Sequence, residues 1–269
     1  MQIIGEKING FIPKTLAAIE AKDATYIKEI AKAQEDNGAT YIDVCAGTAA
    51  EIEMETMEWL IGLVQEVCET PICVDSSDPQ IILNCIPLCN KPGLINSVSM
   101  EEGKCEAIFP AIADTDWNIV ALTCDQEGIP DDPQKKFAVA KEIIELAKKQ
   151  GIAPDRLFID PLVTTLATKQ DSLLNFVAAI KLILNEYPDV HITSGLSNIS
   201  FGMPYRKAIN MQFLCLCMSV GMDSAIMDPL DPYMQSTLYA TNALLGKDDF
   251  CMEYLNAFRD ELFPIKPQD

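Results

Sequence analysis

Carboxylate and carboxamide side chains recur where short apolar segments of this sequence end. One polar residue can be taken from each segment, and in two segments it carries a hydroxyl group. Consecutive members of this set are 21 to 37 residues apart, and they are Glu6, Asp43, Asp75, Asn96, Thr123, Asp160, Ser194 and Asp228. Carboxylates that converge in a fold can hold Mg²⁺, or they can accept hydrogen bonds from a ligand whose edge carries N–H donors. The mixture with Asn favours a heterocyclic ligand over a metal cage, and a helix N-cap is the alternative for any single Asp.

The apolar segments alternate with helical patterns along almost the whole chain, which is typical of a βα repeat. The predicted strands are Gln2–Gly5, Tyr41–Val44, Pro71–Val74, Leu94–Ile95, Ile119–Leu122, Arg156–Ile159, Val190–Thr193 and Ser224–Met227. The predicted helices include Asp23–Asn37, Glu53–Cys68, Pro133–Gln150, Ser172–Tyr187 and Pro204–Val220. No linker or low-complexity stretch interrupts the repeat, so we expect a single domain over residues 1–269.

Eight βα units form either an open doubly wound sheet or a closed barrel, and periodicity does not separate the two. In a closed barrel the polar residues at the strand ends gather at one mouth, where barrel enzymes have their active sites. No GxGxxG or GxxxxGKS/T motif follows any predicted strand, which weakens the dinucleotide-binding alternative. We therefore predict an α/β fold, a single-domain (β/α)8 TIM barrel.

Charge and cysteine content exclude several function classes. Twenty Lys and Arg against 40 Asp and Glu give a net charge of −20, so the surface repels nucleic acid and anionic lipid. The ten Cys include no CxxC pair, and we expect no resident metal. The one His, His191, lies at the amino end of a strand and is expected to be structural. With no signal pattern, and with its longest apolar stretch too short for a membrane span, the protein is expected to be cytoplasmic.

Five segments in chain order carry a resemblance to a known family: IGEKING at 4–10, CVDS at 73–76, INS at 95–97, IDPL at 159–162 and SGLSNIS at 194–200. They look like those of the pterin-binding methyltransferases, and most like the methyltetrahydrofolate:corrinoid protein methyltransferases. The resemblance implies a (β/α)8 barrel that forms a homodimer. It also implies transfer of the N5-methyl group between 5-methyltetrahydrofolate and the cobalt of a corrinoid (cobalamin) carried by a separate corrinoid protein. The direction is open, since the partner belongs either to acetogenic carbon fixation or to a demethylase system.

By the same resemblance, Asp75, Asn96 and Asp160 hold the pterin edge, whose 2-amino group and N3–H are parallel donors that a carboxylate accepts together. Asn198 is implied to turn toward N5 and stabilise its developing charge, so the catalytic set is Asn198, Asp160 and Asp75. The other implied binding residues are Glu6, Gly195, Ser197 and Arg206. Asn exchanges no net proton at neutral pH, so the N5 proton is expected to move through water, with any carboxylate relay unidentified.

The sequence departs from the family pattern at two places. Cys45 stands where many members have Asn, so a polar contact with the pterin is lost or replaced. The loop Phe201–Pro204 lacks the Gln associated with enzymes of acetogenic carbon fixation. Dihydropteroate synthase shares the fold, but its Gly-rich, Lys-containing loop is absent after Asp160, where the chain reads Leu162–Thr165. A dihydropteroate-synthase-like enzyme, a non-catalytic pterin- or folate-binding module and a Mg²⁺-dependent lyase are the alternatives.

Overall fold

Eight parallel strands form one sheet in which every neighbouring pair except β1 and β8 is consecutive in sequence. The computed structural model describes residues 1–101 and 103–264. The strands are β1 Gln2–Asn9, β2 Tyr41–Cys45, β3 Ile72–Asp75, β4 Leu94–Met100, β5 Asn118–Asp125, β6 Leu157–Asp160, β7 His191–Ile192 and β8 Ser224–Met227. Their order in the sheet is β7-β6-β5-β4-β3-β2-β1-β8, so β1 pairs with both β2 and β8.

The two ends of the sheet meet and close it into a barrel. Beyond the short strand β7, a parallel bridge joins Gly195 to Ile226, and the Ile226 N–H donates to the Ser194 carbonyl at 2.9 Å. At the opposite end of the barrel, Asp223 accepts the Ile192 N–H at 2.9 Å and pairs with His191 Nδ1 at 2.6 Å. The predicted (β/α)8 TIM barrel is confirmed, and His191 has the structural role that we expected.

Ten α-helices lie between or after the strands in the described part of the chain: α1 Pro13–Glu20, α2 Ala24–Asp36, α3 Ala50–Gln65, α4 Pro79–Cys85, α5 Lys104–Ile112, α6 Pro133–Lys149, α7 Ser172–Glu186, α8 Arg206–Met218, α9 Pro232–Leu244 and α10 Met252–Arg259. The Asp-Pro pairs at 78–79, 132–133 and 231–232 begin α4, α6 and α9. Each Asp side chain accepts a backbone N–H two residues on, at 2.8–2.9 Å, and each Pro takes a position where no N–H is needed. These caps leave the strand-end carboxylates available for other contacts.

The floor of the barrel interior is a cluster of one apolar residue from each of the first six strands: Ile4, Tyr41, Cys73, Leu94, Val120 and Phe158. Side chains alternate across a strand, so the residues two positions further on point to the same face. Those residues are Glu6, Asp43, Asp75, Asn96, Leu122 and Asp160. Five of the six strands therefore carry a polar group directly above the apolar floor, at the carboxyl end of the barrel.

Several elements differ in length from the prediction. Strand β1 continues to Asn9 through an irregularity between Gly5 and Ile8, so Glu6 lies within the strand and not after it. Strands β4 and β5 are also longer, and β7 has only two residues. Helix α8 begins two residues later than predicted because Tyr205 adopts a left-handed conformation (φ 48°). The predicted domain, residues 1–269, includes 102 and 265–269, which lie outside the described residues.

None of the described helices combines the length and the apolar character that a membrane span needs.

Candidate active site

A cavity of about 590 Å³ opens at the carboxyl ends of the strands. Its lining residues are Glu6, Asn9, Phe11, Ile12, Asp43, Asp75, Asn96, Gly195, Ser197, Asn198, Phe201, Arg206 and Ile226. Seven of the eight residues predicted for the site are among them, and only Asp160 is not. The structure therefore brings together, from strands β1 to β4 and from the loop after β7, residues that are almost 200 positions apart in sequence.

Asp43, Asp75 and Asn96 form the wall contributed by β2, β3 and β4. Asn96 pairs with Asp75 in the sheet register, and its Nδ2 donates to Asp43 Oδ1 at 3.4 Å. Burial raises the pKa of both carboxyls, and the charge of Asp75 raises that of Asp43 further. A ligand with N–H donors would lower these two pKa values again, because each hydrogen bond that it donates stabilises the ionised carboxylate.

Asp160 lies behind the cavity wall and ties two loops together. The carboxylate is buried, and it accepts the Leu162 N–H at 2.7 Å and the Gly195 N–H at 3.3 Å. Burial raises its pKa to about 6, although both hydrogen bonds and the charge of Lys136 act in the opposite direction. Gly195 lines the cavity, but Asp160 itself does not. A direct contact between Asp160 and a ligand therefore stays a prediction.

Asn198 stands on a 3-10 turn, Leu196–Ser200, that follows the bridge to β8. Its backbone N–H donates to the Gly195 carbonyl at 3.1 Å, and its side chain lies over the Gly195 Cα. A Cβ added at Gly195 would be only 2.8 Å from Asn198 Nδ2. A side chain at position 195 would therefore displace this carboxamide.

Arg206, the first residue of α8, holds the same turn from outside. Its guanidinium donates to Ser200 Oγ at 3.0 Å and to the Ser197 carbonyl at 2.8 Å, and it lies 5.8 Å from the centre of the Phe201 ring. These contacts place a cation at an otherwise acidic mouth, and a contact between Arg206 and a ligand stays a prediction.

Glu6 lies between the main cavity and a smaller one of about 280 Å³ beside α8 and α9. Burial and the negative charge of Asp228 raise the pKa of Glu6 to about 7, against the opposing charges of Lys7 and Arg206. Lys7 also forms an ion pair with Asp228 at 2.9 Å. Glu6 thus changes its protonation state close to neutral pH.

Sequence reasoning did not assign several of the lining residues to the site. Asp43 could have been assigned, because it is a polar residue at the end of a predicted strand. Phe11 and Phe201 are aromatic residues in loops, and no sequence pattern identifies them. Cys45 lies beside Asp75 in the sheet register, and its thiol hydrogen-bonds to that carboxylate, which lowers the pKa of Asp75. Cys45 itself does not line the cavity, so its thiol acts on Asp75 and contributes no wall of the site.

No group of three or more His, Cys, Asp or Glu side chains in the described ranges is arranged to hold a metal ion.

Comparisons with known proteins agree with this site. Residues 14–228 match the family model described as pterin binding enzyme. The chain is 53% identical over 261 residues to the methylcorrinoid:tetrahydrofolate methyltransferase of Eubacterium limosum, a match that covers 96% of each protein. It is 31% identical over 237 residues to methionine synthase of Mycobacterium tuberculosis, covering 83% of this chain and 20% of that protein.

Among solved structures, dihydropteroate synthase from Xanthomonas albilineans in complex with 7,8-dihydropteroate superposes with a TM-score of 0.65 at 18% identity, covering 91% of this chain and 92% of that one. The enzyme from Yersinia pestis gives 0.64 at 17% identity, covering 91% and 94%. At these identities the likeness shows the fold alone. The match to the family model and the 53% identical relative show more: the chain belongs to the pterin-binding enzymes and, within them, to the family of the corrinoid-dependent tetrahydrofolate methyltransferases.

Proposed function

We propose that this protein moves a methyl group between N5 of tetrahydrofolate and the cobalt of a corrinoid bound to a separate protein. The observation that carries the proposal is the 53% identity, over 96% of both chains, with the Eubacterium limosum methylcorrinoid:tetrahydrofolate methyltransferase. The cavity supports it, because its wall combines carboxylates with Asn side chains in a volume of about 590 Å³. Tetrahydrofolate and the corrinoid are then both substrates, and the corrinoid protein is a partner.

In the proposed complex Asp75 and Asn96 bind the pterin edge from the cavity wall, and Asp160 contributes from behind Gly195. The N–H donors of the pterin favour the ionised carboxylates, so substrate binding lowers pKa values that burial has raised. Ser197 lines the adjacent wall of the same cavity. The hydrogen-bond acceptors of the cavity therefore suit a heterocycle with an N–H edge.

The corrinoid supplies a methyl–cobalt bond whose electron pair stays on cobalt when the methyl group leaves. Asn198 presents its carboxamide from the 3-10 turn and stabilises the charge that develops at N5 of the substrate. N5 also loses a proton when it gains the methyl group. Glu6 lines the same cavity, and its pKa of about 7 lets its carboxylate accept that proton near neutral pH.

We further propose that transfer runs from the methylcorrinoid to tetrahydrofolate, as the name of the Eubacterium limosum relative states for that enzyme. The loop Phe201–Pro204, which lacks the Gln associated with acetogenic enzymes, also favours a corrinoid protein of a demethylase system. All ten Cys are free thiols, which fits the reducing cytoplasm that we propose as the location.

A homodimer through α7 and α8 completes the proposal. An apolar groove of about 460 Å³ lies between these helices, and Leu174 and Leu216 on its edges are 69% and 46% exposed. Contiguous exposed apolar surface of this kind is typical of protein interfaces. Leu216→Glu should convert the dimer to a monomer in analytical ultracentrifugation, and a wild-type protein that sediments as a monomer would contradict the proposal.

The function is tested by mixing the protein anaerobically with tetrahydrofolate and free methylcobalamin and following the corrinoid spectrum. We expect loss of the methyl–cobalt absorption and appearance of cob(I)alamin, in proportion to enzyme concentration. Tetrahydrofolate binding in calorimetry without any conversion, either with methylcobalamin or with a methylated corrinoid protein, would favour a non-catalytic binding module instead.

A further inference from the structure

A buried lysine on α6 contacts the loop that follows Asp160. Lys136 is only 4% exposed and lies on the apolar face of the helix, with Val139, Ala140 and Ile143 at three, four and seven residues further on. Lysine is rarely buried to this extent, because withdrawing its ammonium group from water is costly unless protein groups replace the lost hydrogen bonds. The contacts of this ammonium group therefore indicate what it does.

The Lys136 ammonium binds the backbone of the turn immediately after β6. Its Nζ donates to the carbonyl of Pro161 at 2.6 Å and to the carbonyl of Leu162. Leu162 is in the left-handed region (φ 52°), which is uncommon for a residue with a bulky side chain. In this conformation the Leu162 N–H donates to Asp160 Oδ1 at 2.7 Å. Lys136 thus stabilises the conformation of the turn that binds Asp160.

The charges of Lys136 and Asp160 each affect the pKa of the other group. The charged groups that face Lys136 are Asp160, Asp131 and Lys169, and the last two form an ion pair with each other at 2.6 Å. Burial lowers the pKa of Lys136 to about 8, whereas the negative charge of Asp160 raises it. Burial raises the pKa of Asp160 to about 6, against the charge of Lys136. Between pH 6 and pH 8 both groups are therefore predominantly charged.

We propose that Lys136 is a positioning residue for tetrahydrofolate binding: its ammonium group holds the turn 160–162, so that the Asp160 carboxylate can bind the pterin edge. The positive charge of Lys136 also favours the ionised form of that carboxylate. The inference rests on the proposed function, since it assigns Asp160 to that substrate. Lys136 itself does not line the cavity and acts through Asp160 and its contact with Gly195.

The test is the pH dependence of tetrahydrofolate binding, measured by anaerobic calorimetry from pH 5 to pH 9. An opposite charge a few ångströms away lowers a carboxyl pKa by roughly one unit or more, so Lys136→Met should raise the pKa of Asp160 to about 7. The ratio of the variant's Kd to the wild-type Kd should then be about eightfold larger at pH 5 than above pH 8, where only the loss of the contacts with the turn remains.

Two further variants separate charge from packing. Lys136→Arg keeps the cation and should bind like wild type at every pH, and Lys135→Met removes the exposed neighbouring lysine as a matched control. If the methionine variant does not fold, Lys136→Gln keeps one donor without the charge and should show the same pH-dependent loss of affinity.

A ratio of dissociation constants that does not change with pH, in Lys136→Met or in Lys136→Gln, would overturn the inference, because a purely structural role weakens binding equally at all pH values. The same weakening in Lys135→Met would also overturn it. Failure of the wild-type protein to bind tetrahydrofolate would refute the proposed function and this inference together. Normal wild-type binding with no effect in the Lys136 variants would refute this inference alone.

Discussion

Gly195→Ala should displace the carboxamide of Asn198 and slow methyl transfer without preventing folding. The added Cβ would lie 2.8 Å from Asn198 Nδ2, whereas ordinary contacts begin near 3.4 Å, so the carboxamide must move by about 0.6 Å. A misplacement of 1 Å at a reacting centre costs about 10²-fold in rate, so this shift predicts a fall in kcat of roughly tenfold to thirtyfold. The KM for tetrahydrofolate should change less than about threefold, because the carboxylates on β3 and β6 are untouched.

The assay is steady-state conversion of methylcobalamin at saturating tetrahydrofolate. Gly62→Ala is the matched control, because Gly62 is exposed on α3 and nothing lies within 4 Å of an added Cβ. That variant should keep wild-type kcat and gain about 0.5–1 kcal/mol in the free energy of unfolding. A folded Gly195→Ala protein with unchanged or increased kcat would refute the reasoning, since Asn198 would not need its present position.

Asn198→Ala should lower kcat by about 10²-fold while the Kd of tetrahydrofolate changes less than about threefold; equal small effects on both would favour a binding module. Glu6→Gln should change the pH dependence of stability. The pKa of Glu6 is about 7 in the folded state, above its ordinary value of 4.5, so its protonated form contributes stability that is complete below pH 4.5 and lost as pH rises through 7. At pH 8 the Gln variant should therefore melt above wild type by roughly 4–8 °C, which corresponds to about 2 kcal/mol, and at pH 4 the two proteins should melt at the same temperature. A Gln variant with the same Tm as wild type at pH 8 would contradict this prediction.

The positions of the strand-end side chains were predictable because two periodicities agree, whereas Gly195, Ser197, Asn198 and Arg206 were assigned only through the resemblance to a known family. A βα repeat of 21 to 37 residues returns the chain to the same mouth, and the two-residue period of each strand places Glu6, Asp75 and Asn96 two positions after an apolar floor residue. The alternative of a helix cap was wrong for Asp75, because Asp78 caps α4. It was also wrong for Asp160, because the next helix, α7, begins only at Ser172 and Asp160 accepts the Leu162 N–H instead.

Other features depend on contacts between distant residues and were not predictable from local pattern. Asp160 lies behind Gly195, whose N–H donates to its carboxylate across 35 residues of sequence. The left-handed conformations of Leu162 and Tyr205 set the loop positions and delay α8, although neither residue type favours them. Lys136 did leave a signal, a cation at the first position of an apolar helical stripe, which helical periodicity alone could have identified.

The most direct test of the account follows the carbon that is transferred. Methylcobalamin labelled with ¹³C in its methyl group is incubated anaerobically with tetrahydrofolate and the protein, and the folate is examined by NMR and mass spectrometry. We expect ¹³C at N5 of 5-methyltetrahydrofolate in an amount equal to the cob(I)alamin formed, at a rate that falls sharply in Asn198→Ala. Label that stays on cobalt, with a methylated corrinoid protein as well as with free methylcobalamin, would contradict it.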